Sequence, residues 1–279
     1  MVSPRDLAEA YAFLADGPIR PIAGGTDLMV ALTGELGEPP ARILDLWRLD
    51  DLRGIAVEGD MISLGALTTY TEIRRSAVCR EHLPVLVEAA ATIGAAQIQN
   101  RGTLGGNAVN ASPAGDTLPV LLAADASFVV GSARGERTIA AAEFWTAYRR
   151  TALAPDELLL RIRIPLLAGR ELRFRKVGTR RAQSISKVVV ALGWRDRGPS
   201  GPWTGVRLAL GSVAATPIRA VATEAALEGR PPTPETADHA AETLAAELHP
   251  IDDVRSTAGY RRVVAARVVH RMVREAGGW

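Results

Sequence analysis

Between Arg101 and Asp116 the chain reads Arg-Gly-Thr-Leu-Gly-Gly-Asn-Ala-Val-Asn-Ala-Ser-Pro-Ala-Gly-Asp, and this run limits the possible folds more than any other. Glycine reaches backbone angles closed to other residues and lets the main chain approach a neighbour or ligand closely. The first half, with Gly102, Gly105 and Gly106, is expected neither to build a helix nor to pack a core. It is expected instead to expose successive N–H groups as a concavity for an anion, phosphate above all. A second run of the same character, Pro21-Ile22-Ala23-Gly24-Gly25-Thr26-Asp27-Leu28, leads into an apolar stretch. Two such loops suggest two walls around one phosphorylated ligand. Neither has the G-x-G-x-x-G spacing of a dinucleotide fingerprint, and neither carries the Gly-Lys-Ser/Thr of a P-loop. Each alone reads better as a structural tight turn than as a site. Asn107 and Asp116, placed just downstream, favour a site.

If the chain performs chemistry, the sequence points to a borrowed reactive group. The four histidines, His82, His239, His249 and His270, are scattered without metal-ligand spacing. No Gly-x-Ser-x-Gly elbow and no paired carboxylates appear, so no catalytic residue is expected. Cys79 is the only cysteine, which excludes an internal disulfide and a protein-supplied iron–sulfur cluster. It is read as a semi-buried small hydrophobe. A net charge of +2, with no long block of like charge, gives no case for a nucleic-acid partner. No apolar run has membrane-spanning length and the start lacks a secretory h-region, so a cytoplasmic protein is expected.

With 279 residues, 47% of them hydrophobic, the chain can form one large or two medium domains. Ser3-Pro4 reads as a helix start, with Leu7, Ala10, Tyr11 and Leu14 on one face. Ile19 to Ala23 and Ile43 to Leu46 read as strands. Residues 54–57 and 61–64 read as a hairpin, and Thr69 to Gly94 as helical. This start suggests two small sheets rather than one doubly wound sheet. A short helix over 116–124, a hairpin over 127–139 and a strand ending at Pro165 follow. Residues 166–170 are the expected domain boundary. Beyond it, strands at 172–177, 188–194 and 206–213, a turn through Gly198-Pro199-Ser200-Gly201-Pro202, and helices at 220–227, 234–248 and 257–275 predict a compact α+β domain. The last helix is expected to turn Val263, Val264, Val268 and Met272 inward and its arginines outward.

Four segments in order carry a resemblance that spans essentially the whole chain. They are Ala23-Gly24-Gly25-Thr26-Asp27-Leu28, Thr103-Leu104-Gly105-Gly106-Asn107, Ala111-Ser112-Pro113-Ala114-Gly115-Asp116, and Lys176-Val177-Gly178-Thr179-Arg180-Arg181-Ala182. The chain resembles the FAD-binding middle subunit of molybdenum hydroxylases, the family of xanthine dehydrogenase, carbon monoxide dehydrogenase and 4-hydroxybenzoyl-CoA reductase. The resemblance implies an α+β fold with a two-lobed FAD-binding domain of the vanillyl-alcohol-oxidase/PCMH type over residues 1–167, its lobes about 1–53 and 54–167. A small domain with a three-stranded sheet and three helices would follow over residues 168–279. The extra iron–sulfur cluster of the reductase branch has no ligands here.

The same resemblance assigns roles. Pro21, Ile22, Ala23, Gly24, Gly25, Thr26, Asp27 and Leu28 would wrap the FAD pyrophosphate, the N–H groups of 23–26 donating. Thr103, Gly106 and Asn107 would contact the diphosphate and ribityl chain from the opposite side, with Val109 also at the cofactor. Asp116 would accept from a sugar hydroxyl or the adenine side, and Ile93 and Leu159 would flank the adenine. Lys176 would face the flavin pyrimidine edge, and Ile185 would shield one ring face. Some relatives carry acidic residues after the arginine pair, where Ala182, Gln183 and Ser184 stand here, a departure that bears on the electron acceptor.

With no histidine or cysteine in either glycine loop, the FAD is expected to be noncovalent. The implied partners are a molybdopterin-binding large subunit and a small subunit with two 2Fe–2S clusters, assembled as a dimer of heterotrimers. Electrons would pass through FAD to NAD+ or another acceptor. The loops look most like those of xanthine-dehydrogenase-type complexes. A carbon monoxide or aldehyde dehydrogenase, a stand-alone FAD-dependent oxidase and a binding protein for another nucleotide are the alternatives.

Overall fold

A computed structural model of the chain describes every residue except 35–36, 181–182, 196–197 and 199–200. Arg181, Ala182, Pro199 and Ser200, singled out above, therefore lie outside the described residues.

The chain opens with α1 (Leu7–Ala15), β1 (Arg20–Ile22), α2 (Thr26–Thr33) and β2 (Ile43–Asp45). The cap of α1 is Asp6, which accepts from Glu9 N at 2.8 Å, so the helix begins later than the expected start at Ser3-Pro4. β1 and β2 are parallel, with Arg20 opposite Ile43 and Ile22 opposite Asp45. Beneath them Ala10, Leu14, Leu44, Leu46, Leu49 and Leu52 form a small core that reaches Leu158 and Leu160.

Next come β3 (Ile55–Glu58) and β4 (Met61–Gly65), the expected hairpin. The helical stretch after Thr69 is broken into α3 (Tyr70–Arg75), α4 (Ala77–His82) and α5 (Pro84–Ala91). Ser76 ends α3 and caps α4 by accepting from Cys79 N at 3.2 Å. Pro84 lacks an N–H and disfavours helical angles at Leu83, so α5 must start afresh. Cys79 is fully buried rather than semi-buried. The glycine-rich region holds α6 (Ala96–Gln99), α7 (Leu104–Asn110) and α8 (Leu118–Ala123). Then follow β5 (Ser127–Ser132), β6 (Gly135–Ala140), α9 (Ala141–Phe144), β7 (Trp145–Ala147), β8 (Arg150–Thr151) and β9 (Leu158–Pro165). One antiparallel sheet has the order β3-β4-β9-β5-β6, so the late strand β9 closes the gap between two early hairpins. Phe128 and Phe144 stack at 4.0 Å in its core.

The remaining elements are β10 (Glu171–Val177), β11 (Val188–Arg195), β12 (Thr204–Gly211), β13 (Ile218–Arg219), α10 (Val221–Leu227), α11 (Pro234–Glu247) and α12 (Ala258–Gly277). The sheet β10-β11-β12-β13 has four strands where three were expected. The fourth is a two-residue pairing of Ile218 and Arg219 with β12, too short to leave an alternating pattern. β11 is buried on both faces. Val188, Val190, Leu192 and Trp194 pack with the helices, whereas Val189 and Ala191 join the core of the five-stranded sheet.

On α12 the inward residues include Ala265, Val269, Met272 and Val273, while Val264 and Val268 are partly buried. Val263 is 50% exposed, against expectation, because it falls on the opposite side of that stripe. Nor do all the arginines face outward. Arg261 is 5% exposed, donates to the carbonyls of Lys187 and Ser212, and pairs with Asp253 at 2.7 Å. Among the described residues, no helix is long and apolar enough to cross a membrane.

Candidate functional site

The strand β1 delivers the first glycine run. After Ile22, whose carbonyl accepts from Leu46 N at 3.0 Å, the chain turns through Gly25 at φ +74° into α2. No side chain caps this helix. The first bond into it runs from Met29 N to Gly25 O at 2.9 Å, and the backbone N–H groups of 23–28 find no acceptor among the described residues. A Cβ on Gly25 would meet nothing within 4 Å among the described residues, so the space beside that residue is open. Consecutive free donors at a helix N-terminus, reinforced by the helix dipole, suit an anion such as a diphosphate.

The second run behaves otherwise. Residues 104–110 form α7, with Leu104 and Ala108 fully buried, which overturns the expectation that this stretch would neither form a helix nor pack. Thr103 makes this possible, since its hydroxyl caps the helix by accepting from Gly106 N at 3.0 Å. The other donors are also satisfied internally: Gly102 N by Ile98 O at 2.6 Å, Leu104 N by Thr68 O at 2.9 Å, Gly105 N by Ala66 O at 3.0 Å and Asn107 N by Thr103 O at 3.0 Å. The glycines serve packing, because a Cβ on Gly105 would lie 2.5 Å from the Ala66 carbonyl oxygen. The run of free donors therefore lies in the first loop.

The two runs nevertheless meet. A Cβ on Gly24 would fall 1.7 Å from the carbonyl oxygen of Arg101, so the first loop lies directly on the second. Asn110 Nδ2 donates to Asp27 at 3.0 Å and its Oδ1 accepts from Arg149 at 3.0 Å, joining α2, α7 and the turn between β7 and β8. Asn107 Oδ1 accepts from the Thr117 hydroxyl at 2.7 Å. Pro21 to Thr26 and Leu28 are half-buried and Asp27 is exposed. Thr103 is buried and Val109 exposed.

Asp116 and Lys176, sixty residues apart, form a buried ion pair with Nζ 2.6 Å from Oδ2. Lys176 also donates to Thr92 O at 3.2 Å, and the Ser186 hydroxyl donates to the other oxygen of Asp116. Burial pushes the Asp116 carboxyl above its usual range, while Lys176 and the Ser186 hydrogen bond pull it back. Half-buried Ile93 follows Thr92. Leu159 is buried within the core of the five-stranded sheet, and Ile185 is 56% exposed. Arg180 folds onto Gln183 O, with Nη2 at 2.6 Å. Ser186 and the Thr92 carbonyl were not anticipated. Nothing in the sequence marks a lone serine as the partner of an aspartate so far away.

A helix N-terminus with a run of free donors, against which a second glycine segment packs, suits the phosphates of a nucleotide cofactor. Residues 1–167 match the FAD binding domain in molybdopterin dehydrogenase, and residues 173–276 match the CO dehydrogenase flavoprotein C-terminal domain. The chain belongs to this family: it is an FAD-binding medium subunit of the molybdenum hydroxylases, which are oxidoreductases. It is 32% identical to the glyceraldehyde dehydrogenase medium chain of Sulfolobus acidocaldarius over 275 residues, 98% of this chain and 96% of that one. It is 30% identical to the xanthine dehydrogenase FAD-binding subunit of Escherichia coli O157:H7 over 280 residues, 98% of this chain and 95% of that one. Among solved structures, the carbon monoxide dehydrogenase of Hydrogenophaga pseudoflava superposes with a TM-score of 0.91 at 32% identity, covering 96% of this chain and 93% of that one.

Proposed function

We propose that this chain carries electrons from 2Fe–2S clusters of a small partner subunit, through noncovalent FAD, to NAD+ or another acceptor. The substrate would be oxidised on a separate molybdopterin-binding subunit. FAD, when bound, exchanges electrons singly or in pairs and so links one-electron clusters to a hydride acceptor. The observation that carries the reading is the run of free N–H groups at 23–28, which fits a diphosphate. The chain's own residues then have holding and orienting roles. Pro21 to Leu28 would cradle the diphosphate, with Thr103, Gly106, Asn107 and Val109 beside it. Asp116 and Lys176, paired at 2.6 Å, would act at one place on the cofactor, a sugar hydroxyl beside the flavin edge, with Ile93 and Leu159 at the adenine and Ile185 over one ring face.

The division into residues 1–167, with lobes about 1–53 and 54–167, and residues 168–279 accompanies this reading, as do a cytoplasmic setting and a dimer of heterotrimers. The glycine loops favour a xanthine-dehydrogenase-type complex. A carbon monoxide or aldehyde dehydrogenase is the second reading, supported by relatives of those names at similar identity. Purified full-length chain should bind FAD, release all of it to the supernatant on acid precipitation, and reduce a dye slowly with NADH but not with purines. Purine oxidation by the chain alone would overturn the electron-transfer reading, and colour retained in the pellet would overturn noncovalent binding.

A further inference from the structure

The short helix α8 lies wholly buried between the domains, packed on β11, β12 and β13. At its N-terminal side Asp116 engages Lys176 of β10. At its C-terminal side Asp125, held at a left-handed φ of +53°, meets three arginines of the second domain and its connection. Arg170 lies 3.1 Å away, Arg207 of β12 3.0 Å, and Arg219 of β13 4.0 Å. Arg170 also donates to the Ala123 carbonyl, the last residue of α8, at 2.9 Å, where a cation suits the negative end of a helix. Among the described residues, Arg170 and Arg207 have no other carboxylate partner. Arg219 shares Glu224, which is itself occupied by the N–H of Leu208.

We propose that Asp125 is a positioning residue for the FAD site, acting through α8 to set how Lys176 and Asp116 meet. The logic is mechanical. Both acidic residues belong to the α8 segment, and both sets of cations belong to the second domain or the connection leading to it. Six residues of helix span roughly 9 Å, so a shift at one end is transmitted to the other by a rigid, close-packed element. Replacing Asp125 removes the attraction that draws these arginines to the C-terminal end of α8, so that end is no longer held against the sheet. Lys176 and Asp116, fixed to the same two bodies, lose register. The inference rests on the FAD reading of the site but assigns Asp125 no contact with the cofactor.

The test uses the full chain and FAD itself, titrated by fluorescence. Asp125→Asn should weaken FAD binding about tenfold, the upper range for coupling through a packed network, while Asp125→Glu should stay within about twofold of wild type. Arg207→Gln should weaken it in the same direction. Val190→Ala, a cavity variant whose side chain lies in the helix-facing core on the face of β11 away from α8, serves as the control that lowers stability. If Asp125→Asn or Arg207→Gln melts earlier, as the control does, yet binds FAD with wild-type affinity, the proposal is overturned. It is equally overturned if Val190→Ala weakens FAD as much as Asp125→Asn does. Failure of the wild-type chain itself to bind FAD would instead overturn the reading of the site.

Discussion

A Cβ on Gly24 would sit 1.7 Å from the Arg101 carbonyl oxygen, whereas one on Gly25 meets nothing within 4 Å among the described residues. Neighbouring glycines thus answer to different demands, close packing of two loops in one case and a left-handed turn beside open space in the other. Gly24→Ala should lower stability by about 1–3 kcal/mol through overpacking, seen as an earlier thermal melt. Gly25→Val costs about 1–2 kcal/mol for the left-handed conformation, and it also fills the open space beside the loop that carries the free N–H groups. It should therefore abolish FAD retention in a chain that still folds, and wild-type FAD affinity in this variant would remove the first loop from the site. Lys176 poses a different problem, because its partner is also buried. Lys176→Met leaves Asp116 with only Ser186 among the described residues, and breaking such a pair typically costs about 3–5 kcal/mol. Burial already raises the Asp116 carboxyl, so the folded state holds its proton more strongly than the unfolded state does. The variant's deficit should accordingly be greatest at high pH and shrink as pH falls toward the ordinary carboxyl range. Denaturant titrations across pH check this; a deficit that grows on acidification would contradict it.

At the scale of elements, β9 holds the first domain's large sheet together, and the bend leading into it depends on Glu157. This carboxylate accepts both Nε and Nη2 of Arg137 on β6 at 2.7 Å, and Ala154 N at 2.8 Å. The hydrogen bonds from Arg137 hold the Glu157 carboxyl below its usual range. A depressed folded pKa contributes stability above the ordinary glutamate range that is lost as pH falls through the folded value. Arg137 is half exposed, so solvent screens the pair, and Glu157→Gln should cost about 1 kcal/mol at neutral pH. The gap from wild type should close on acidification in chemical denaturation series. A gap independent of pH would mean that packing, and not the ion pair, holds the bend.

At the scale of the whole molecule, binding that favours only the folded state raises stability by mass action. FAD at a hundredfold excess over its dissociation constant should add about 2.7 kcal/mol, measurable as a later melt that riboflavin, lacking the diphosphate, reproduces poorly. The sequence by itself determined the elements whose cause is local. The β3–β4 hairpin, the strand ending at Pro165, and the long helices capped by Thr233 and Thr257 follow from alternation, caps and breakers within a few residues. It also carried the family segments, because a motif is a chain-local record of what the backbone must do. Other features were decided by tertiary structure. The second glycine run became a helix because Thr103 caps it and because Thr68 and Ala66 take its N–H groups from across the fold. Arg261 is buried because carbonyls of Lys187 and Ser212 and the Asp253 carboxylate meet there, although a charged residue on a helix reads as solvent-facing. The pairing of Asp116 with Lys176 and Ser186, and of Asp125 with its arginines, needed the second sheet to close over α8. Hydrophobic periodicity reports which face of an element is buried, but it carries no record of which distant polar group that face will meet.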